Sequence, residues 1–468
     1  MATLSVEREL RALLGDGAVL PPDAPGYGAD ATEGRGVSGR PDAVVLPAST
    51  ADVARLMAWC YERDVPIVPR GGGSGFAGGA VPVSGGVVVG LGRMRAVRAL
   101  DPPLWRMHVE AGLPTADVRR RARENGLWFP PDPGAAEQSQ IGGNIATNAG
   151  GPHAFKYGVT GTWVTGLEAV LAPGEVVTVG GAIRKDVAGY DLRSLLVGSE
   201  GTLGIITAAW LRLLPAREAS FPVVAHYGEV AAGCAAVEAV LAAGLEPAAL
   251  EYLDRGTLRA AGAAYPGALP AGAGFTVVAE ADGSAAEAAR VRDELRAVLA
   301  PDALGVDVPA APADVAALWR WRDGVSIAVT AARGGKVSED IVVPLDRLGE
   351  AIEQTVEIGA RHDLEACSWG HAGDGNLHST FLVARDDAAG LERAARAGEE
   401  LFALAVALGG SVSGEHGLGW VRRGALARQW PERLLAVHDD IKRAFDPKGL
   451  LNPGKKAARP VVDGAPLD

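Results

Sequence analysis

The sequence predicts an α+β protein of two or three domains, and three observations carry that expectation. Its 468 residues exceed what a single core serves at roughly 100–200 residues per domain. From residue 41 to about residue 215, short Val-rich runs alternate with amphipathic stretches of helical period. Beyond residue 222 the composition turns to Ala-rich helical segments separated by shorter strand-like runs. That pattern suits a sheet with helices on one face, because each helix offers a single apolar stripe.

In order along the chain, residues 1–40 open with Leu at helical spacing among charges and read as an N-terminal helical segment. Residues 44–47 read as a strand, 50–63 as a helix, and 65–68 as a strand running into a glycine cluster. Residues 86–91 and 106–111 are further strands, and 114–125 is a charged amphipathic helix that Asn125-Gly126 should stop. Pro215, Pro222 and the charge pair between them mark a boundary. After it come helices near 230–243, 285–299, 345–362 and 388–408, with strands at 275–279, 341–343 and 377–383. A last helix ends near Phe445, DPKGLLNPGKK follows, and the tail 459–468 is expected to fray.

Composition excludes several classes of function. Lys and Arg total 45 against 57 Asp and Glu, a net −12 without a basic block, so the surface is not built to neutralise nucleic-acid phosphates. Cys60, Cys234 and Cys367 are few and far apart, which indicates neither a disulfide framework nor a thiolate metal site and fits a reducing, cytoplasmic compartment. The N-terminus lacks the basic and apolar regions of a signal peptide. No apolar run reaches the roughly 18–20 residues of a membrane span.

The glycine cluster, residues 69–82, reads PRGGGSGFAGGAVP. Gly and Ala leave few Cβ atoms to obstruct the backbone, so successive N–H groups can turn inward and line an anion site for which phosphate is the natural guest. GSGFAG matches the dinucleotide GxGxxG pattern formally. A Rossmann site, however, needs a helix opening at the last glycines and an acidic residue about twenty positions on, and neither is present. The reading is pyrophosphate held without a helix. Residues 130–151 and 186–207 share this small, hydroxyl-rich character, and three such loops suit a long planar cofactor.

Two histidine motifs follow. GHAGDGNLH carries His371 and His378, and SGEHGLG carries Glu415 and His416. Gly-Asp-Gly between the first two histidines disfavours a continuous helix, so a turn between strands is expected to bring them together. Two imidazoles and one carboxylate make a three-ligand metal site with an open position; histidines hydrogen-bonded in polar loops are the ordinary alternative. In LWRWRDGVSIAVTAARGGKVSED, Arg322 could grip a carboxylate, with Ser326 one turn later and Lys336 adding charge, although plain surface residues would look the same.

Taken together, PRGGGSGFAGGAVP, IGGNIATNAGG, KYGVTG, GYDLRSLLVGSEGTLGIIT, GHAGDGNLH, SGEHGLG and NPGK resemble the FAD-linked D-2-hydroxyacid dehydrogenases. These are the D-lactate dehydrogenase, glycolate oxidase flavin-subunit and D-2-hydroxyglutarate dehydrogenase type, within the vanillyl-alcohol-oxidase flavoprotein superfamily. The resemblance runs from about Pro41 to Lys456. It implies a two-subdomain FAD-binding domain over 41–215, an α+β cap or substrate domain over 216–415, and a segment 416–458 returning to the FAD domain.

It further implies that Pro69, Arg70, Gly71, Gly72, Gly73, Ser74, Gly75, Gly78 and Gly79 cradle the FAD pyrophosphate. Pro133, Gly142, Gly143, Asn144, Thr147, Gly150 and Gly151 would run beside the flavin and ribityl, Glu200, Gly201, Gly204 and Ile206 would meet the adenine half, and Asn452 would join the cofactor site. Ser74 stands where some members carry a covalently linked His, so the FAD is expected to be non-covalent. His371, His378 and Glu415 are implied metal ligands, for Zn²⁺ first with Mn²⁺ or Fe²⁺ as alternatives, and His416 the base. Arg322, Ser326 and Lys336 would hold the substrate.

The implied reaction is oxidation of a D-2-hydroxy acid to the 2-oxo acid, with hydride to flavin N5 and electrons passed to a quinone, a cytochrome or an electron-transfer flavoprotein. A homodimer is part of the same expectation. Three other readings stand beside it: a flavin oxidase for another alcohol or a phenol, a non-catalytic FAD electron-transfer subunit, and a metal-dependent hydrolase whose glycine loops bind a substrate phosphate.

Overall fold

The computed structural model describes residues 2–459, so the tail expected beyond Arg459 lies outside the described residues. The chain forms two units. One comprises Met1–Gly150, Val159–Ala216 and the segment from Glu415; the other comprises Gly151–Gly158 and Arg217–Gly414.

The first unit holds two main sheets. Ala43–Val45, Val87–Gly90 and Ile67–Arg70 pair in parallel, with Val19–Leu20 antiparallel on the edge. Their near-continuous valine is what a sheet buried on both faces requires, and Val44, Val68 and Val88 share one core. The helix Thr50–Glu62 supplies the crossover, its first turn capped by Ser49, whose hydroxyl accepts the Asp52 N–H at 3.2 Å. As its Gly, Pro and Val content predicts, the glycine cluster leaves the strand Ile67–Arg70 and reaches Val87 without forming a helix. The second sheet is five-stranded and antiparallel, in the order Val97–Asp101, Arg106–Glu110, Ile205–Arg212, Val164–Leu171, Glu175–Gly180. The helix Thr115–Glu124 ends at Asn125 as expected.

In the second unit a seven-stranded antiparallel sheet runs Gly305–Asp307, Ala219–Tyr227, Phe275–Gly283, Ala249–Asp254, Glu365–His371, Asn376–Leu382, Lys336–Val342. The single helical face expected for it is corrected to two. Ala366 and Phe381 pack with Ala394, Ala397 and Leu401 of the helix Ala388–Ala407. The alternating neighbours Cys367, Trp369 and Leu382 pack instead with Val325 and Val329 of the helix Pro312–Arg333. Both faces of these strands carry apolar side chains, so both must be covered. The run expected as one helix over 345–362 divides into a 3₁₀ turn, Leu345–Arg347, and the helix Leu348–Arg361.

Gly151–Gly158 joins this unit through a buried ionic cluster. His153 Nε2 lies 3.1 Å from Glu280, and Lys156 Nζ and Tyr157 Oη each lie 2.7 Å from Asp282. Arg217 reaches both carboxylates. Among the described residues no helix is long and apolar enough to cross a membrane.

Candidate active site

Each unit carries a polar cluster that includes motif residues. In the first, the glycine cluster has its peptides sorted by face. Among the described residues, no backbone N–H from Gly71 to Gly79 donates a hydrogen bond, whereas the carbonyls of Gly72, Gly75, Ala77 and Gly79 all accept one. A run of unpaired N–H groups in a glycine loop can form an anion nest. Arg70 folds inside the loop, its Nη1 donating to Ala80 O at 3.3 Å and its guanidinium 5.7 Å from the Tyr27 ring; burial lowers its pKa. Gly73, with φ +69°, leaves the space this guanidinium occupies. Ser74 is half-buried in the same loop.

The second small-residue segment lies directly against the first, since a Cβ on Gly71 would stand 3.2 Å from Gly143 Cα. Gly142 belongs with Gly143 to the helix Ile141–Thr147, where a side chain would collide with Ala111 at 2.6 Å. Asn144 Nδ2 donates to Thr115 Oγ1 at 2.6 Å and Thr147 Oγ1 to Gly143 O at 3.1 Å, so both side chains support the helix. Pro133 is half-buried in the coil before it. A Cβ on Gly150 would meet Glu415 Oε2 at 2.6 Å, and Gly151 begins the segment that joins the other unit.

In the third segment Gly201, with φ +72°, faces the Pro69 ring, Gly204 faces Leu171, and Ile206 is buried in its strand. The side chains of Glu200 and Asn452 are engaged by protein groups: the Glu200 carboxylate accepts the Leu418 N–H at 3.0 Å and the Gly419 N–H at 2.6 Å, and Asn452 Nδ2 donates to Gly79 O and Glu200 O. His416 sits at the rim of the glycine loop, its ring centroid 4.9 Å from that of Phe76 and its Nε2 4.0 Å from Glu415 Oε1.

The second cluster occupies one face of the seven-stranded sheet. His371 pairs with Asn376 and Trp369 with His378 across the turn, so the expected strand–turn–strand is what joins the two histidines. Their ring centroids are 5.4 Å apart at 85°, and a ligand nitrogen of each lies within 4.8 Å of the other. His371 Nδ1 is 2.6 Å from Glu251 Oε1, which fixes the tautomer and presents Nε2. The other oxygen of Glu251 takes the Arg322 guanidinium. Glu251 is wholly buried; burial alone would raise its pKa, but His371 and Arg322 outweigh that and hold the carboxyl below its ordinary range.

Further along the same face, Lys336 Nζ donates to Ser326 O at 2.8 Å and to its hydroxyl, and lies 5.0 Å from the Trp369 ring centroid. Burial pushes Lys336 down to about 8. Asp340, opposite His378, accepts from Asn376 Nδ2 at 2.7 Å and from Ser413 Oγ and the Gly414 N–H at 2.9 Å each.

The structure thus gathers Lys336, His371 and His378 on one face of the sheet with Arg322 and Ser326 from the helix Pro312–Arg333 that packs on it. Glu415 and His416 belong to the first unit, beginning at the peptide bond after Gly414. Sequence reasoning missed Glu251, Asp340, Trp369 and Asn376. A signal existed for Glu251: it is the one carboxylate before the terminal Asp in the largely apolar strand ALEYLD. One expectation for Arg322 is modified, since Nη2 of its fork is already bound to Glu251.

Two family models match the chain: an FAD binding domain over residues 41–180 and the C-terminal domain of FAD linked oxidases over 217–456. Glycolate oxidase subunit GlcD of Bacillus subtilis is 37% identical over 420 residues, covering 90% of this chain and 89% of the relative. D-lactate dehydrogenase of Anaerostipes hadrus is 34% identical, covering 89% of each. Among solved structures, 4-ethylphenol oxidase from Gulosibacter chungangensis superposes with a TM-score of 0.79 at 20% identity over 98% of both chains. p-Cresol methylhydroxylase gives the same TM-score at 18% identity, also over 98% of both. At these identities the structural likeness bears on the fold, which is the vanillyl-alcohol-oxidase type that the motifs implied.

Proposed function

The chain belongs to the FAD-linked oxidases, and on that footing we propose that it oxidises a D-2-hydroxy acid of the lactate, glycolate or 2-hydroxyglutarate class to the 2-oxo acid. The observation that carries this reading is the single sheet face that holds Lys336, His371 and His378 and onto which the helix Pro312–Arg333 brings Arg322. A carboxylate and an adjacent alcohol, 2-hydroxy acid in a word, call for cations next to metal-ligating groups. A phenol needs neither.

FAD, when bound, supplies the hydride acceptor. Its pyrophosphate would lie on the N–H groups from Gly71 to Gly79, with the helix Ile141–Thr147 beside the loop. A divalent ion held by His371, His378 and Glu415 would supply positive charge where the alcohol becomes an alkoxide. The donor set fits such an ion, because the Glu251 bond to Nδ1 orients His371 as outer carboxylates orient metal-bound imidazoles. Asp340 holds the Gly414 N–H and so fixes the chain one residue before Glu415.

His416 takes the hydroxyl proton; an imidazole, with an ordinary pKa of about 6.5, can do so near neutral pH. Lys336 and the part of Arg322 not bound to Glu251 receive the substrate carboxylate and so orient the Cα–H bond. Ser326 holds Lys336 in place through two acceptor atoms. Electrons then leave to an external acceptor of the quinone, cytochrome or electron-transfer flavoprotein class.

The test is anaerobic titration of the yellow holoprotein with D- and L-2-hydroxy acids and with alkylphenols. Bleaching by a D-2-hydroxy acid alone is expected. Bleaching by phenols only, or by nothing in the panel, would overturn the reading.

A further inference from the structure

Glu200 lies in the GSEG motif assigned by resemblance to the adenine half of FAD, yet every polar atom it has is engaged within the first unit. Its N–H donates to Ala146 O at 2.7 Å and its carbonyl accepts from Asn452 Nδ2 at 2.8 Å. Oε1 accepts the Leu418 N–H at 3.0 Å and Lys456 Nζ at 3.1 Å, and Oε2 accepts the Gly419 N–H at 2.6 Å. The residue is buried and adopts φ +54°, a conformation an L residue keeps only where its surroundings demand it.

The groups it holds belong to the C-terminal return, and that return grips the glycine loop. The N–H groups of Trp420 and Val421 donate to Ala77 O at 2.7 and 3.1 Å. Asn452 donates to Gly79 O at 2.8 Å, and Lys455 Nζ to Val81 O at 2.5 Å. Gly417 and Gly419 explain their own identity here: with φ +77° and +48°, a Cβ would stand 2.8 Å from Glu200 Oε1 and 2.1 Å from Ala77 O. Each contact draws a loop carbonyl toward the return. In a run of peptides, drawing carbonyls to one side turns N–H groups to the other, which is the side where the loop leaves Gly71 to Gly79 unpaired.

We propose that Glu200 and Asn452 are not FAD contacts but the pins of a C-terminal clasp, and that this clasp, by holding the outer carbonyls of the glycine loop, sets how tightly FAD is retained. This deepens the assignment of the glycine loop to the pyrophosphate and rests on it.

The test compares wild type with Glu200→Gln, which keeps shape but turns one acceptor into a donor facing an N–H, and with the milder Lys456→Met and Asn452→Ala. FAD release from the holoprotein is followed by the rise in free-flavin fluorescence, and C-terminal exposure by limited proteolysis of holo- and flavin-stripped protein. FAD release at least tenfold faster in Glu200→Gln, a smaller acceleration in Lys456→Met, and quicker C-terminal cleavage in the stripped variants are expected. Unchanged release would overturn the clasp. So would faster release with wild-type C-terminal resistance in the stripped protein, since a direct contact with the nucleotide gives that result. If Gly72→Ala and Gly75→Val left release unaffected, the loop assignment itself would fail, independently of the clasp.

Discussion

Replacing Glu251 by glutamine preserves the volume of the side chain and removes one charge, at a position with no solvent exposure and with one oxygen on His371 and the other on Arg322. The amide oxygen can still accept from His371 Nδ1. Its NH₂ must then face the Arg322 guanidinium, donor against donor, with the cation itself 7% exposed. Removing one member of a buried ion pair costs about 3–5 kcal/mol, most of it from the charge left behind. For a unit of this size each kcal/mol lowers the melting temperature by about 2–4 °C, so a fall of about 6–20 °C is expected.

Differential scanning calorimetry of the flavin-loaded protein reads this directly, and a second substitution identifies the cause. Adding Arg322→Met removes the stranded cation, which is the larger part of the cost, and leaves only the glutamine NH₂ to be accommodated, so the double variant should regain part of the loss. Metal content supplies a separate readout, since weakening the partner that orients a ligating imidazole costs about 10–100-fold in metal affinity. A Glu251→Gln protein melting within about 2 °C of wild type, or a double variant no better than the single, would refute the claim that one carboxylate serves both the histidine and the arginine.

His416→Ala should remain yellow and folded while kcat falls by about 10²–10⁴; turnover within a few-fold of wild type would remove His416 from the role of base. Exhaustive chelation should abolish turnover, with recovery on adding Zn²⁺, Mn²⁺ or Fe²⁺, and undiminished activity after chelation would dismiss the metal. Lys336 is a cation below about 8 and loses its proton above it, so KM for the acid should climb as pH passes that value, and Lys336→Met should raise KM and flatten the climb. Burial alone would raise the Glu280 pKa, but the hydrogen bond to His153 and the Arg217 charge bring it to about 2. The stability this contributes, about 3 kcal/mol, is therefore full above the ordinary carboxylate value and lost as pH falls toward 2; acid titrations of wild type and Glu280→Gln should differ by that amount.

What the sequence made legible was local. A glycine loop followed by Pro, Gly and Val could not open a helix, and Gly-Asp-Gly between two histidines had to be a turn. Ser49 before the helix Thr50–Glu62 and Asn125 after Thr115–Glu124 fixed helix ends through groups a few residues apart. Arg322 and Ser326 stand one turn apart on the helix Pro312–Arg333, as their spacing predicts, whereas the substrate role given to them and to Lys336 came from the family resemblance.

The missed residues all act through register. Glu251 meets His371 only because Ala249–Asp254 pairs with Glu365–His371 at that offset, and a slip of one residue would turn Glu251 to the opposite face and bring Leu250 or Tyr252 to the histidine. No local pattern states that offset. The same holds for Glu200, whose partners lie more than two hundred residues on, and for the strands whose two apolar faces look in sequence like one continuous run. Short-range chemistry therefore picked out the candidate ligands, whereas the residues that hold those side chains in place became visible only when distant strands were set side by side. For this fold the consequence is practical: substitutions at motif positions should change turnover or flavin binding first, and substitutions at Glu251 or Glu200 should change stability, metal content or flavin retention together with it.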